Sequence, residues 1–248
     1  MTLGELFSGI GGWSEAAKMC GGITPIWCSE IDKYKNKVYE LRHPGVPNLG
    51  NIKKIKKVPP CDIITVSFPC TDISIAGKGA GITGEYSGLW FEAEKIIGMV
   101  RPKYVVVENS PILTVRRLRR ILEFFAKIGY NAEWTCLSGH QFNIQHRRKR
   151  LFLIAYTSQA RQQEISCYRS IFRQLDRKTG ILATGIYPGW AGRWEIPQPR
   201  TMRSAYDVPG LIHRLECTGD AIIPLIGAYI LECIKIHNHD SNVLKSQI

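Results

Sequence analysis

Leu3-Gly4-Glu5-Leu6-Phe7-Ser8-Gly9-Ile10-Gly11-Gly12 opens the chain with an apolar run that breaks into a glycine cluster, and residues 14–20 follow with helical spacing. A short apolar run, a glycine turn and then a helix is the signature of a strand feeding a βα unit. Glycines at such a turn let a ligand approach the backbone closely, and the helix start supplies free N–H groups. The loop is not the full dinucleotide fingerprint, because Ser14 stands where the third glycine belongs. Outward from here the alternation continues. It predicts strands over 23–28, 63–68, 104–107, 131–137 and 151–155, with helices over 33–42, 89–100 and 118–128. This pattern predicts an α/β domain built on a mostly parallel sheet with helices on both faces.

The character of the chain changes near Tyr156. Residues 157–200 are polar, basic and poorly periodic, with Gly180, Gly185, Pro188, Gly189, Gly192, Pro197 and Pro199 among them. That is too long for an ordinary connection, so it reads as a small separate lobe or a functional insertion. Periodicity returns at 220–236, which predicts a helix, and the last dozen residues read as a frayed tail. The expected division is a main domain formed by 1–156 and 201–248, interrupted by 157–200.

The 248 residues carry a formal charge of +12, which favours a polyanionic partner, nucleic acid or a membrane surface. Basic residues gather in three runs, at 53–57, 116–120 and 147–150. No apolar run approaches the length of a bilayer span, and the N-terminus lacks the charged-then-apolar plan of a secretory signal. A cytoplasmic, monomeric protein is the default expectation. None of the eight cysteines pairs as Cys-x-x-Cys, so no structural zinc site is expected, and without a secretory signal no disulfides are expected. His237 and His239 sit in a polar tail without a partner motif, and no metal is assigned to them.

Three strand ends carry chemistry. Glu30, after the second strand, suits the two hydroxyls of a ribose, and an adenosyl ligand without phosphates fits as well as a dinucleotide. Its competing role is helix capping, shared with Asp32. Ser67-Phe68-Pro69-Cys70 places a thiol where ligands bind in parallel sheets, beside a glycine-rich stretch; such a thiol is placed like a nucleophile, although most lone cysteines are buried and structural. Glu108 ends the strand after that. Arg148 and Arg150 alternate along the approach to 151–155, so thiol, carboxylate and guanidinium are expected at one edge of the sheet.

In this order the motifs resemble the DNA cytosine-5 methyltransferase family, in its phage-type form, over nearly the whole chain. Phe7–Gly12 resembles its cofactor motif, Pro69-Cys70 the catalytic Pro-Cys, and Glu108-Asn109 the Glu-Asn motif. Gln145–Arg150 resembles the basic motif, and Gly219–Pro224 the C-terminal motif. The segment 194–200, Trp-Glu-Ile-Pro-Gln-Pro-Arg, is similar to the one that follows the target-recognition region. Asp220 stands where Asn is usual, and Asn51 where Asp often meets the adenine amino group.

The resemblance implies a Rossmann-like S-adenosylmethionine-dependent methyltransferase fold with a small target-recognition region at 157–200. It implies a covalent mechanism on a cytosine flipped out of a short site in double-stranded DNA. Cys70 would be the nucleophile, Glu108 would bond the ring nitrogen and amine, and Arg148 would hold the base carbonyl. Arg150 would position Glu108 or the neighbouring loop. Phe7, Gly9, Ile10, Gly11, Gly12, Glu30, Ile31, Asn51, Ile52, Pro69, Leu89, Asp220 and Ala221 would surround S-adenosylmethionine. For Ile31, Ile52 and Leu89, which would flank the adenine, core packing is the rival role. Ser74, Lys78, Arg173, Arg177, Lys178, Trp190 and Arg193 are candidates for DNA contact. A cognate restriction endonuclease is compatible with the pattern. Two other functions remain open: an RNA cytosine-5 methyltransferase of the same family, and a catalytically silent DNA-binding regulator.

Overall fold

The computed structural model describes residues 1–69, 88–116, 118–142, 144, 148–157, 171–172 and 220–245. Six strands form one sheet in the order β2-β1-β3-β4-β6-β5: β1 (Thr2–Leu6), β2 (Thr24–Ser29), β3 (Ile63–Val66), β4 (Tyr104–Asn109), β5 (Tyr130–Ser138) and β6 (Lys149–Thr157). The first four run parallel, while β6 is antiparallel to β4 and to β5. The chain leaves β1 toward β2 on one side and returns to β3 on the other. The crevice above β1 and β3 is therefore a topological switch point, where open α/β sheets bind ligands.

Every residue of β3 and β4 is buried, which matches their continuous apolar runs and their central position. Helices α1 (Gly12–Cys20) and α6 (Pro224–Lys245) pack together on one face of the sheet, with α2 (Lys33–Arg42) beside them. Trp13, Ala16, Ile226 and Ile230 share their core with the sheet residues Leu3, Val106 and Ile154. The other face is covered by α3 (Leu89–Val100) and α5 (Leu118–Lys127), with the four-residue α4 (Leu113–Arg116) before α5. There Trp90, Ile97, Ile121 and Phe125 pack on Ile64, Val105 and Leu153. Each such apolar side chain contributes roughly 1.5–3 kcal/mol when removed from water.

Glycine decides two close approaches. A Cβ on Gly4 would stand 2.1 Å from the Trp27 ring, so β1 can carry no side chain there. A Cβ on Gly227 would lie 2.7 Å from the Ala16 methyl, so α6 reaches α1 only because that side chain is missing.

The tail differs from its sequence reading. Helix α6 continues to Lys245 rather than fraying from about 237. Packing explains the extension: Nδ1 of His237 is 2.8 Å from the Tyr104 hydroxyl, and its ring lies against Tyr156. These contacts hold a polar stretch of helix to the sheet edge opposite the crevice. Region 157–200 is outside the described residues except for Thr157, Ile171 and Phe172, so its reading as a separate lobe concerns residues not described here.

Candidate active site

Because β6 runs against β4, the start of β6 meets the end of β4. Glu108 pairs with Phe152 and Asn109 with Leu151, which brings the basic run before Leu151 to the carboxyl edge of the parallel strands. Nε of Arg150 lies 3.3 Å from Oε1 of Glu108. Glu108 is buried, and burial pushes its carboxyl above the usual carboxylate range. Arg150 and Arg148 pull it back down, as does the Ser67 hydroxyl. Ser67 in turn accepts a hydrogen bond from Trp13 Nε1 at 3.1 Å, which ties α1 to the end of β3. Asn109 donates from Nδ2 to the Phe68 carbonyl at 3.1 Å, fixing the backbone that leads into Pro69 and Cys70.

A cavity of about 540 Å³ opens here, a size suited to a small-molecule ligand. Its wall includes Glu108, Arg148 and Arg150 together with Phe7, Gly9, Gly12, Glu30, Ile31, Asn51, Ile52, Pro69, Leu89, Asp220 and Ala221. Ile10 and Gly11 belong to the same loop but are not among the residues that line the cavity. Gly11 caps α1 at φ 88°, a conformation glycine adopts without strain, and its Cα backs onto Tyr39 and His43.

Phe7 also has a left-handed backbone, at φ 58°, which costs a non-glycine residue on the order of 1–3 kcal/mol. It is held where the wall of the cavity requires it. Asn51 accepts from the Lys53 amide through Oδ1, capping the short helix Ile52–Lys54. Ile52 is buried, so the core reading holds for it as well. Ile31 is 69% exposed although it lines the cavity, which removes core packing as its role and leaves an apolar surface for a ligand to cover.

Three features of the wall suit an adenosyl ligand. Glu30 Oε2 accepts from the Gly9 amide at 2.8 Å and Oε1 from the Asp32 amide at 2.9 Å, which orients the carboxylate at the end of β2 with lone pairs remaining for hydroxyl donors. Among the described residues, and apart from its chain neighbours, no atom lies within 4 Å of a Cβ built on Gly9, so the loop leaves open space there. Ile31, Ile52 and Leu89 supply apolar surface in the same wall. Ribose, close backbone approach and adenine are all accommodated by these residues.

Sequence reading missed Trp13, Lys35, Lys53, Ser67, Asn109 and Ile222 in the wall. Ser67 and Asn109 flank the residues singled out and were open to inference from that position. Trp13 and Lys35 carry no signal in the sequence, since their role depends on how helices lie over the sheet. Among the basic runs, Arg119 and Arg120 pair with Glu123 and Glu94, so those two serve the helix layer. Lys53, Lys54, Lys56 and Lys57 lie in and after the short helix at the cavity rim. Cys70, Ser74, Lys78, Arg173, Arg177, Lys178, Trp190 and Arg193 lie outside the described residues.

Sheet order, glycine loop and strand-end acids together define a Rossmann-like domain of the methyltransferase class. The chain belongs to the C-5 cytosine-specific DNA methylase family, which it matches over residues 1–187. It is 31% identical over 200 residues to the Type II methyltransferase M2.BsuMI of Bacillus subtilis (strain 168), covering 77% of this chain and 51% of that protein. It is 33% identical over 159 residues to M.NgoBI of Neisseria gonorrhoeae, covering 62% of this chain and 50% of that one. The chain thus spans about half the length of the curated relatives it matches.

Among solved structures, the fold is similar to the Dnmt2 methyltransferase of S. pombe, with TM-score 0.54 and 20% identity over 68% of this chain and 57% of that one. It is also similar to the Entamoeba histolytica methyltransferase EhMeth, with TM-score 0.56 and 19% identity over the same shares. Among the described residues, no helix is long and apolar enough to cross a membrane.

Proposed function

We propose that this chain is a DNA cytosine-5 methyltransferase that uses S-adenosylmethionine and acts on a cytosine flipped out of double-stranded DNA. The observation that carries this reading is the buried Glu108 carboxyl, raised toward its acid form and braced by Arg150, in a cavity whose wall includes Pro69, the residue before Cys70. Carbon 5 of cytosine is a poor nucleophile until the ring loses its aromaticity. Addition of the Cys70 thiolate to carbon 6 achieves this: the sulfur–carbon bond forms, and the ring's electrons move toward carbon 5 and nitrogen 3. Glu108 in its acid form donates to nitrogen 3 as that charge develops, and burial raises its share of the acid form. Arg148 holds the carbonyl oxygen of the base.

The residues that would hold the cofactor are Glu30 at the ribose, Ile31, Ile52 and Leu89 at the adenine, and the Phe7–Gly12 loop beneath it. S-adenosylmethionine supplies an electrophilic methyl group on sulfonium, with no further activation required. Loss of the carbon-5 proton to a base, water included, then restores the carbon 5–carbon 6 double bond and expels Cys70. A stacked duplex hides carbon 6, so the base must leave the helix first.

Region 157–200 is proposed to read the target sequence, with Arg173, Arg177, Lys178, Trp190 and Arg193 as its contacts and Ser74 and Lys78 beside the flipped base. The +12 charge supports a polyanionic substrate. A cytoplasmic monomer, acting with or without a cognate endonuclease, belongs to the same proposal. Bisulfite sequencing of DNA from cells expressing the chain tests it. The expected result is methylcytosine at one short motif, abolished by Cys70→Ala; a mark that persists in that variant would refute the nucleophile.

A further inference from the structure

We infer that Lys35 and Asp220 form the seat for the amino-acid end of the methyl donor, Asp220 receiving its ammonium and Lys35 its carboxylate. The inference rests on the reading of the cavity as an S-adenosylmethionine site and adds to it a residue that the sequence motifs do not include. Lys35 Nζ donates to Asp220 Oδ2 at 2.6 Å, and both residues belong to the cavity wall.

The other acids of the wall are engaged elsewhere. Glu30 takes the amides of Gly9 and Asp32, Asp32 caps α2 through the Lys35 amide, and Glu108 stands against Arg150. Lys35 and Asp220 instead present one cation and one anion side by side. The matching ligand group carries the same two charges on adjacent atoms, as an α-amino acid does. Position agrees with charge. Asp220 precedes Ala221 and Ile222, and a Cβ on Gly12 would meet the Ile222 side chain at 2.9 Å, so the pair stands beside the glycine loop. Side-chain exposures of 20% for Lys35 and 64% for Asp220 leave both heads able to exchange each other for a ligand.

A bound zwitterion replaces the Lys35–Asp220 ion pair with two charge-assisted contacts, ammonium to Asp220 and Lys35 to carboxylate. The competing account is a plain strut, in which the pair only ties α2 to the segment before α6. Ligands with and without the amino-acid end separate the two accounts.

The test is calorimetric titration of the full chain with S-adenosylhomocysteine, which keeps that end, and with methylthioadenosine, which lacks it. Lys35→Met and Asp220→Asn are each expected to weaken S-adenosylhomocysteine by about tenfold or more, the scale of one lost charge-assisted contact. Methylthioadenosine should change by less than about twofold, since the adenosyl contacts remain. Equal weakening of both ligands, or of neither, overturns the seat and leaves a strut. A wild-type protein that binds the two ligands equally well also overturns the seat, while leaving the cofactor reading intact. A wild-type protein that binds neither ligand refutes the cofactor reading, and the seat falls with it.

Discussion

Arg150 reaches Glu108 from a strand that runs in the opposite direction, with Nε 3.3 Å from Oε1, and both residues line the cavity over the switch point of the sheet. The guanidinium lowers a carboxyl that burial raises. In the proposed reaction the acid form is the useful one, so methyl transfer declines as pH rises through the raised value. Arg150→Met removes a lowering influence. The decline should then move to higher pH, alongside a reduced maximal rate. A pH–rate profile at saturating cofactor and DNA checks this, and a shift toward lower pH would contradict the assignment.

Glu108→Gln keeps the shape of the side chain and loses its exchangeable acid proton. Methyl transfer should fall by about 10²–10⁴-fold, the usual worth of a general acid. S-adenosylhomocysteine affinity should change little, because the residues proposed for the adenosyl group, Glu30, Ile31, Ile52 and Leu89, do not include Glu108. Single-turnover transfer of a labelled methyl group, paired with titration calorimetry, measures both quantities.

Asn109 acts through the Phe68 carbonyl. Asn109→Asp sets a carboxylate against that carbonyl oxygen and should release the Phe68–Pro69 backbone. The expected result is a loss of about tenfold or more in kcat, the equivalent of one hydrogen bond of roughly 1–1.5 kcal/mol, with the unfolding midpoint changed little. A variant with wild-type kcat would show that the Phe68 carbonyl needs no such tether.

Glu5 is buried beneath the glycine loop, where its carboxyl accepts from the hydroxyls of Ser14 and Tyr39. Burial pushes it up to about 7. Its native value therefore exceeds the unfolded value of 4.5, and the native state holds the extra proton between the two. Stability from this site falls as pH rises from about 4.5 to about 7 and is level above that range. Glu5→Gln should remove this slope, worth on the order of 3 kcal/mol at about 1.4 kcal/mol per pH unit. Urea midpoints of the wild type and the variant at pH 5 and pH 8 provide the comparison.

Gly4→Ala places a methyl group into the Trp27 ring and should cost at least about 1–3 kcal/mol by overpacking. Trp27→Leu added to it should recover part of that loss, giving a positive coupling in a double-mutant cycle. Simple additivity would mean that the strand shifts to make room.

What the sequence disclosed, and what it hid, follows from how far each contact reaches along the chain. The Phe7–Gly12 loop, Glu30, Pro69 and Glu108 are local events at strand ends, where an apolar run meets glycine, proline or an acid, and each lines the cavity apart from Ile10 and Gly11 of the loop. Gly11 takes the left-handed cap of α1, a position that calls for the same residue as a ligand loop does. The meeting of Arg150 with Glu108 depends on β6 inserting antiparallel between β4 and β5, an order that periodicity does not encode. Lys35 and Trp13 reach the site from helix surfaces whose orientation is set by packing. The helical tail was hidden for the same reason: its polar residues look frayed until His237 is seen against Tyr104 and Tyr156.

The contact between Lys35 and Asp220 joins residues 185 positions apart, and Ile222 leans on Gly12 from the same distant segment. During translation the glycine loop leaves the ribosome long before its covering residues do. Until Asp220, Ala221 and Ile222 have emerged, the growing chain lacks one wall of its cavity, and in the proposed enzyme methyl transfer begins only after that late closure.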